Sequence, residues 1–216
     1  TVNGYYGIAF NGNASNLDSN NRILNTKIED HYFYGTYFQN QNGLLANKND
    51  ISRPARTSLT TFYGLYHTGT MINSVFDGNH IHDPFTTNPA LTSVCYPIYV
   101  LGDATTTANS NIIRNNLIQS IKGNGTTNGI FASTANFLKI YHNSVILDNT
   151  TGGGTAAIRG INVVTGTGQD IRNNLVKLTS GGTGIKHGIY ITTTAANLTC
   201  SNNNVFMGTL GTNHYG

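Results

Sequence analysis

The phrase Ile-Arg-Asn-Asn-Leu is spelled twice in this chain, at 113–117 before Ile118 and at 171–175 before Val176. A duplicated phrase calls for an internal period, and a period of roughly 20–50 residues decides an architecture before any local propensity does. Anchored on the second Asn, the repeat gives Asn21, Asn49, Asn79, Asn116, Asn143, Asn174 and Asn203, at spacings of 28, 30, 37, 27, 31 and 29. Two residues beyond each stands a β-branched apolar residue: Ile23, Ile51, Ile81, Ile118, Val145, Val176 and Val205. A second motif lies 14 to 19 residues before each Asn and reads Gly, apolar, variable, apolar. It begins at Gly7, Gly35, Gly64, Pro97, Gly129, Gly160 and Gly188, with Pro97 replacing the glycine once.

Each unit therefore holds short segments of period-two alternation separated by Gly, Asn and Thr corners, and the helical period is nowhere sustained. A unit of this size cannot bury its apolar face alone, so successive units must stack. The expected fold is all-β, a parallel β-helix of about seven coils with a period of about 27–37 residues, forming one domain over 1–216. At the Asn position, side-chain amides on successive coils would lie about 4.8 Å apart and bond along the axis. The following Ile or Val would point inward as a core column.

Composition agrees. Only 10% of the 216 residues are charged, while 31 are Asn and 30 are Thr, so polarity comes from amides and hydroxyls that suit corners and strands. The net charge of +3 is spread without a basic run, which argues against a nucleic-acid partner. No apolar stretch approaches the ~20 residues of a membrane-spanning helix. No signal peptide opens the sequence, which suggests a mature product or a segment or subunit of a longer assembly. Cys95 and Cys200 lie in no metal-binding spacing, and their places about three coils apart predict two free thiols, with Cys200 buried in a core column.

The pattern of the two motifs resembles the right-handed parallel β-helix repeats of the pectin-lyase-like superfamily, especially the repeat-rich secreted and surface proteins of bacteria. The resemblance covers essentially the whole chain and implies a fold more than an activity. It also implies where chemistry would sit: lyases of this kind hold calcium with clustered carboxylates and place a basic residue near the uronate. The nine Asp and Glu here are scattered, and neither that cluster nor the paired carboxylates of pectin hydrolases is recognisable.

Three features carry functional expectations. The variable position of the Gly motif faces solvent and reads Ala9, Tyr37, Tyr66, Tyr99, Phe131, Asn162 and Tyr190, so Tyr37, Tyr66, Tyr99, Phe131 and Tyr190 form an exposed aromatic stripe. Flat rings in a row suit a polysaccharide, although aromatics also stack in strands for packing alone. The column before the glycine reads Tyr6, Tyr34, Tyr63, Tyr96, Asn128, Arg159 and His187 and extends the wall. Secondly, Asp77, His80 and His82 in "FDGNHIHD" are candidate catalytic residues, and His80 and His82, two apart on one strand face, could share a metal or a proton, beside the simpler reading of solvated side chains flanking Ile81. Thirdly, the longest spacing places a corner insertion loop at 83–97.

No cofactor and no metal centre are expected from these residues. The leading expectation is an extracellular structural and adhesive module of a surface protein or filament, contacting polysaccharide through the stripe. The alternatives are a polysaccharide-acting lyase, hydrolase or epimerase with a non-standard site, and a phage-type tail fibre module. No capping helix is legible, so self-association or continuation of the solenoid at the ends is also expected.

Overall fold

A computed structural model of the chain describes residues 5–102, 106–193, 198–208 and 214–215. Three parallel sheets run along one axis, and each complete coil contributes a strand to each. The first sheet holds the longer strands Tyr6–Asn11, Tyr34–Asn42, Phe62–Ile72, Cys95–Leu101, Thr127–Ser133, Ile158–Val163, Lys186–Ile191 and His214–Tyr215 in chain order, with Asp18–Ser19 paired to Tyr34–Asn42. The second runs Arg22–Leu24, Leu45–Asn47, Val75–Asp77, Ile112–Arg114, Lys139–Tyr141, Asp170–Arg172 and Thr199–Ser201. The third runs Lys27–Glu29, Asp50–Ser52, His80–His82, Leu117–Gln119, Ser144–Leu147, Leu175–Leu178 and Asn204–Met207. Spatial order equals chain order in all three, so every strand pairs with its counterpart one coil away: a parallel β-solenoid of about six turns. The described residues include one single-turn helix, Thr107–Asn109, and no helix long and apolar enough to cross a membrane.

The corner between the second and third sheets explains the Asn pair. Its first residue takes a left-handed backbone at Lys48, Gly78, Asn115, His142, Asn173 and Asn202, with φ of 55°, 67°, 56°, 55°, 58° and 55°. Among non-glycine residues, Asn pays least for that conformation. Its second residue is the ladder Asn. In each of Asn79, Asn116, Asn143 and Asn174, the side-chain NH2 donates to the next Asn Oδ1 at 2.9–3.0 Å and to a carbonyl at 2.9–3.0 Å. The same Oδ1 that receives the side-chain bond also accepts the backbone N–H of the preceding Asn, at 2.9–3.1 Å. Asn49 and Asn203 join the same row. The amides are thus saturated where water is excluded.

Asn21 is a correction. Thr26 takes the first place in the ladder, its N–H donating to Asn49 Oδ1 at 3.0 Å, and Ile28 pairs with Ile51. Asn21 sits one sheet earlier, donating to Gln41 Oε1 at 2.8 Å, and Ile23 pairs with Ala46 in the second sheet. The cause is five extra residues early in the first coil: Thr26 stands 19 residues after Gly7, whereas Asn49 stands 14 after Gly35, while Tyr6 and Tyr34 still pair 28 residues apart.

The core is a stack of columns. Ile51, Ile81, Ile118, Val145 and Val176 are buried one above another in the third sheet, while Ile113, Ile140 and Ile171 are buried in the second. The Gly motif is the other half of this contact. A Cβ on Gly35 would meet Ile51 Cγ2 at 2.7 Å, and one on Gly160 would meet Val176 Cγ1 at 2.3 Å, so the branched residue fills the space a side chain would take. Cys200 pairs with Ile171 as the column predicts, yet it is exposed, because its strand ends the second sheet's order and nothing described stacks beyond it. Both thiols are free.

The insertion, residues 83–94 between the strands His80–His82 and Cys95–Leu101, is held from inside by a fully buried Arg53. Its guanidinium donates to the carbonyls of Pro84 at 3.0 Å, Tyr32 at 2.8 Å and Thr60 at 3.0 Å, and lies 4.9 and 5.0 Å from the Phe62 and Phe85 ring centres. A fork of donors between two rings is a geometry that a lysine ammonium does not reproduce. Arg53→Lys is expected to lose about 2 kcal/mol of stability, read from denaturant midpoints, and to raise proteolytic cleavage within 83–94.

Candidate functional site

The aromatic columns are in register. Tyr37, Tyr66, Tyr99 and Phe131 are consecutive cross-coil partners, as are Tyr6, Tyr34, Tyr63 and Tyr96. Along the first column the rings stack at 5.3, 4.9 and 4.7 Å between centroids, and along the second at 5.3, 5.0 and 5.2 Å. Between columns they meet edge to face, as in Tyr63–Tyr66 at 5.0 Å and Tyr96–Tyr99 at 5.1 Å. Tyr5 and Phe33 stack at 5.2 Å beside them. The result is a two-column wall on one face of the first sheet.

Two expectations change. Rings whose faces turn to their neighbours present edges and hydroxyls outward, so the stripe is half-buried and is not a row of open flat platforms. The stripe also breaks at Asn162, which is buried and donates to Asn128 Oδ1 at 2.8 Å. Beyond the break, Tyr190 packs on His187 at 4.4 Å and under the Arg159 guanidinium at 4.6 Å, apart from the stacked tyrosines. Burial, and secondarily the neighbouring phenols, push the Tyr34 and Tyr63 hydroxyls well above the usual range and Tyr99 up to about 12. The wall therefore stays uncharged and offers hydroxyls that both donate and accept.

The second cluster is on the third sheet. His80 and His82 share one face of their strand, with Ile81 buried between them, and their rings stack at 4.1 Å. Asp50 is the cross-coil partner of His80 and reaches both rings: Oδ2 lies 3.3 Å from His80 Nδ1, and Oδ1 lies 3.1 Å from His82 Nε2. His82 Nδ1 meets Asp83 Oδ2 at 2.7 Å, and His80 Nε2 meets the Gln119 amide at 3.0 Å. Asp50 and Gln119 went unrecognised in the sequence, although a signal existed. Asp50 follows ladder Asn49 as His80 follows Asn79, and Gln119 stands three beyond Asn116 as His82 does beyond Asn79.

Asp77 is not part of this cluster. Its strand belongs to the second sheet, where it pairs with Arg114 at 3.0 Å and accepts from Asn115 at 2.8 Å, as the outward column of Asp77, Arg114, Tyr141, Arg172 and Ser201 allows. His67 lies elsewhere again, fully buried between Phe38 and Val100 in the first sheet.

No protein-family model matches the chain, and no curated protein and no solved structure matches it either. What carries a functional reading is therefore the geometry: a parallel β-solenoid with a stacked tyrosine wall on one sheet and an Asp-His-His cluster on another.

Proposed function

We propose that the chain is a non-enzymatic, extracellular or cell-surface building block of the bacterial pectin-lyase-like kind, which adheres to polysaccharide along its tyrosine wall. The observation that supports this is the register of Tyr34, Tyr63 and Tyr96 beside Tyr37, Tyr66 and Tyr99, repeated once per coil on a rigid face. A repeat of about 4.8 Å presents hydroxyls and ring edges in a straight row, suited to an extended polymer that bears a hydroxyl-rich edge. Single neutral hydrogen bonds contribute only about 1 kcal/mol each, so binding would come from the row. Self-association at the ends belongs to the same proposal, and sedimentation of the chain tests it: a monodisperse monomer would remove it.

The wall is tested by retention on acidic and neutral polysaccharides with bond cleavage scored in parallel. Because the rings stack on each other, their hydroxyls matter more than their faces. The double change Tyr66→Phe with Tyr99→Phe is expected to weaken retention about tenfold, close to 1.4 kcal/mol, while leaving the melting temperature within a few degrees. Retention unchanged by Tyr66→Ala with Tyr99→Ala would sink the reading. The Asp50, His80 and His82 cluster favours a second reading, a polysaccharide-acting enzyme. Cleavage of any of these polymers, lost on His80→Ala, would support it instead.

A further inference from the structure

We infer that Asp50, His80 and His82 form a binding site for a late first-row divalent cation, zinc above all, with the Asp50 carboxylate, His80 Nδ1 and His82 Nε2 as ligands. The ligand atoms of these three residues lie within 4.8 Å of one another on a partly exposed face. Zinc bonds of about 2.0–2.1 Å at tetrahedral angles place ligand atoms about 3.3 Å apart. The Asp50 to histidine separations are close to that edge, one through each carboxylate oxygen: 3.3 Å from Oδ2 to His80 and 3.1 Å from Oδ1 to His82.

Hydrogen-bonded surface histidines would show such distances too, and the surroundings of the two rings distinguish the cases. A metal-ligating imidazole characteristically gives its other N–H to a carboxylate or carbonyl-type oxygen, which fixes the tautomer and aims the free nitrogen. His82 has that partner on the nitrogen facing away from Asp50, and beside His80 the Gln119 side-chain amide stands in the same place. His82 Nδ1 has Asp83 Oδ2 at 2.7 Å, and His80 Nε2 has the Gln119 amide at 3.0 Å, where a half-turn of the amide supplies its oxygen. Moreover, His82 faces a carboxylate at each nitrogen, and a neutral ring has one proton for the two. A cation between His82 Nε2 and Asp50 satisfies both at once.

Two imidazole nitrogens and one carboxylate suit zinc and its neighbours. Calcium wants six to eight oxygens, and magnesium keeps its waters. Three protein ligands also leave a tetrahedral position toward solvent for water or a ligand group. The ligands come from adjacent strands of successive coils, and the Gln119 support comes from the next, so the ion would clamp neighbouring coils.

The test is equilibrium dialysis and calorimetry of the chelator-stripped chain with Zn2+, and visible absorption with Co2+. One Zn2+ per chain is expected, with a Co2+ spectrum of four-coordinate intensity and no displacement by excess Ca2+ or Mg2+. His80→Ala and Asp50→Asn should each weaken Zn2+ binding at least about 100-fold, and Asp83→Asn about 10-fold or more; Asp77→Asn should leave it unchanged. Melting temperatures of the stripped variants separate lost ligands from lost folding. No stoichiometric Zn2+ binding, binding that survives both ligand substitutions, or equal competition by Ca2+ would each overturn the site.

Discussion

Acidification from pH 7 to about pH 4 is expected to remove roughly 6 kcal/mol of folding stability, before most carboxylates protonate. Two buried histidines are responsible. His31 is 2% exposed, neither ring nitrogen has a hydrogen-bond partner, and burial aided by the charges of Arg53 and Arg56 lowers its pKa to about 3. His67 is fully buried, and burial lowers it to about 3, opposed by the Leu101 backbone. In both, the folded value lies below the unfolded value near 6.5. The unfolded chain therefore binds more protons between pH 6.5 and 3, and stability is whole above 6.5 and lost as pH falls toward 3. Each histidine contributes a slope of up to about 1.36 kcal/mol per pH unit. His187, lowered by burial and by Arg159, steepens the same limb, whereas Asp170, held low mainly by Arg172, acts only in the carboxylate range. Denaturant midpoints measured from pH 7 to 4 check the slope. His67→Leu, which keeps an apolar residue between Phe38 and Val100, should roughly halve it, and an unchanged slope would refute the assignment.

Asn116→Ala is expected to cost about 3–5 kcal/mol. The Asn116 Oδ1 accepts two N–H groups of Asn79 at 2.9 Å each, and its NH2 donates to Asn143 Oδ1 at 2.9 Å and to the Phe76 carbonyl at 3.0 Å. Asn116 is 1% exposed and Asn79 is fully buried, so water cannot replace what is removed. The Asn79 N–H and one side-chain hydrogen are left without an acceptor in the dry interior, and each such group costs about 1–3 kcal/mol. Asn21→Ala supplies the contrast. With one bond to Gln41 outside the ladder, it should cost about 1 kcal/mol or less. Chemical denaturation of the two variants side by side checks the pair, and equal losses would mean that the ladder is decoration.

The difference between those two asparagines also shows how far the sequence could be read. Asn116 and Asn21 occupy the same local motif, an Asn two residues before a β-branched Ile. Only the cross-coil register tells them apart, because the first coil has five more residues than the second between its Gly motif and the corner, and Thr26 stands at the ladder instead. The candidate site followed the same rule. That His80 and His82 share a face, and that the tyrosines fall in columns, is written in period two. That Asp50 and not Asp77 meets the histidines depends on the register across a corner, and Asp77, though only three residues from His80, belongs to another sheet.

The sequence by itself determined the repeat, the parallel stack, the inward Ile and Val columns and the outward aromatic columns. Alternation along each strand assigns a side chain to core or surface without any knowledge of its neighbours. The tertiary structure alone decided which residues of different coils touch. Ladder spacings of 23 to 37 residues per coil set the cross-coil register, and from that register come the Asp50 contact with two histidines, the carbonyl cradle of Arg53, the buried His31 ring with neither nitrogen hydrogen-bonded and the face-to-face stacking that turns the tyrosine rings edgewise.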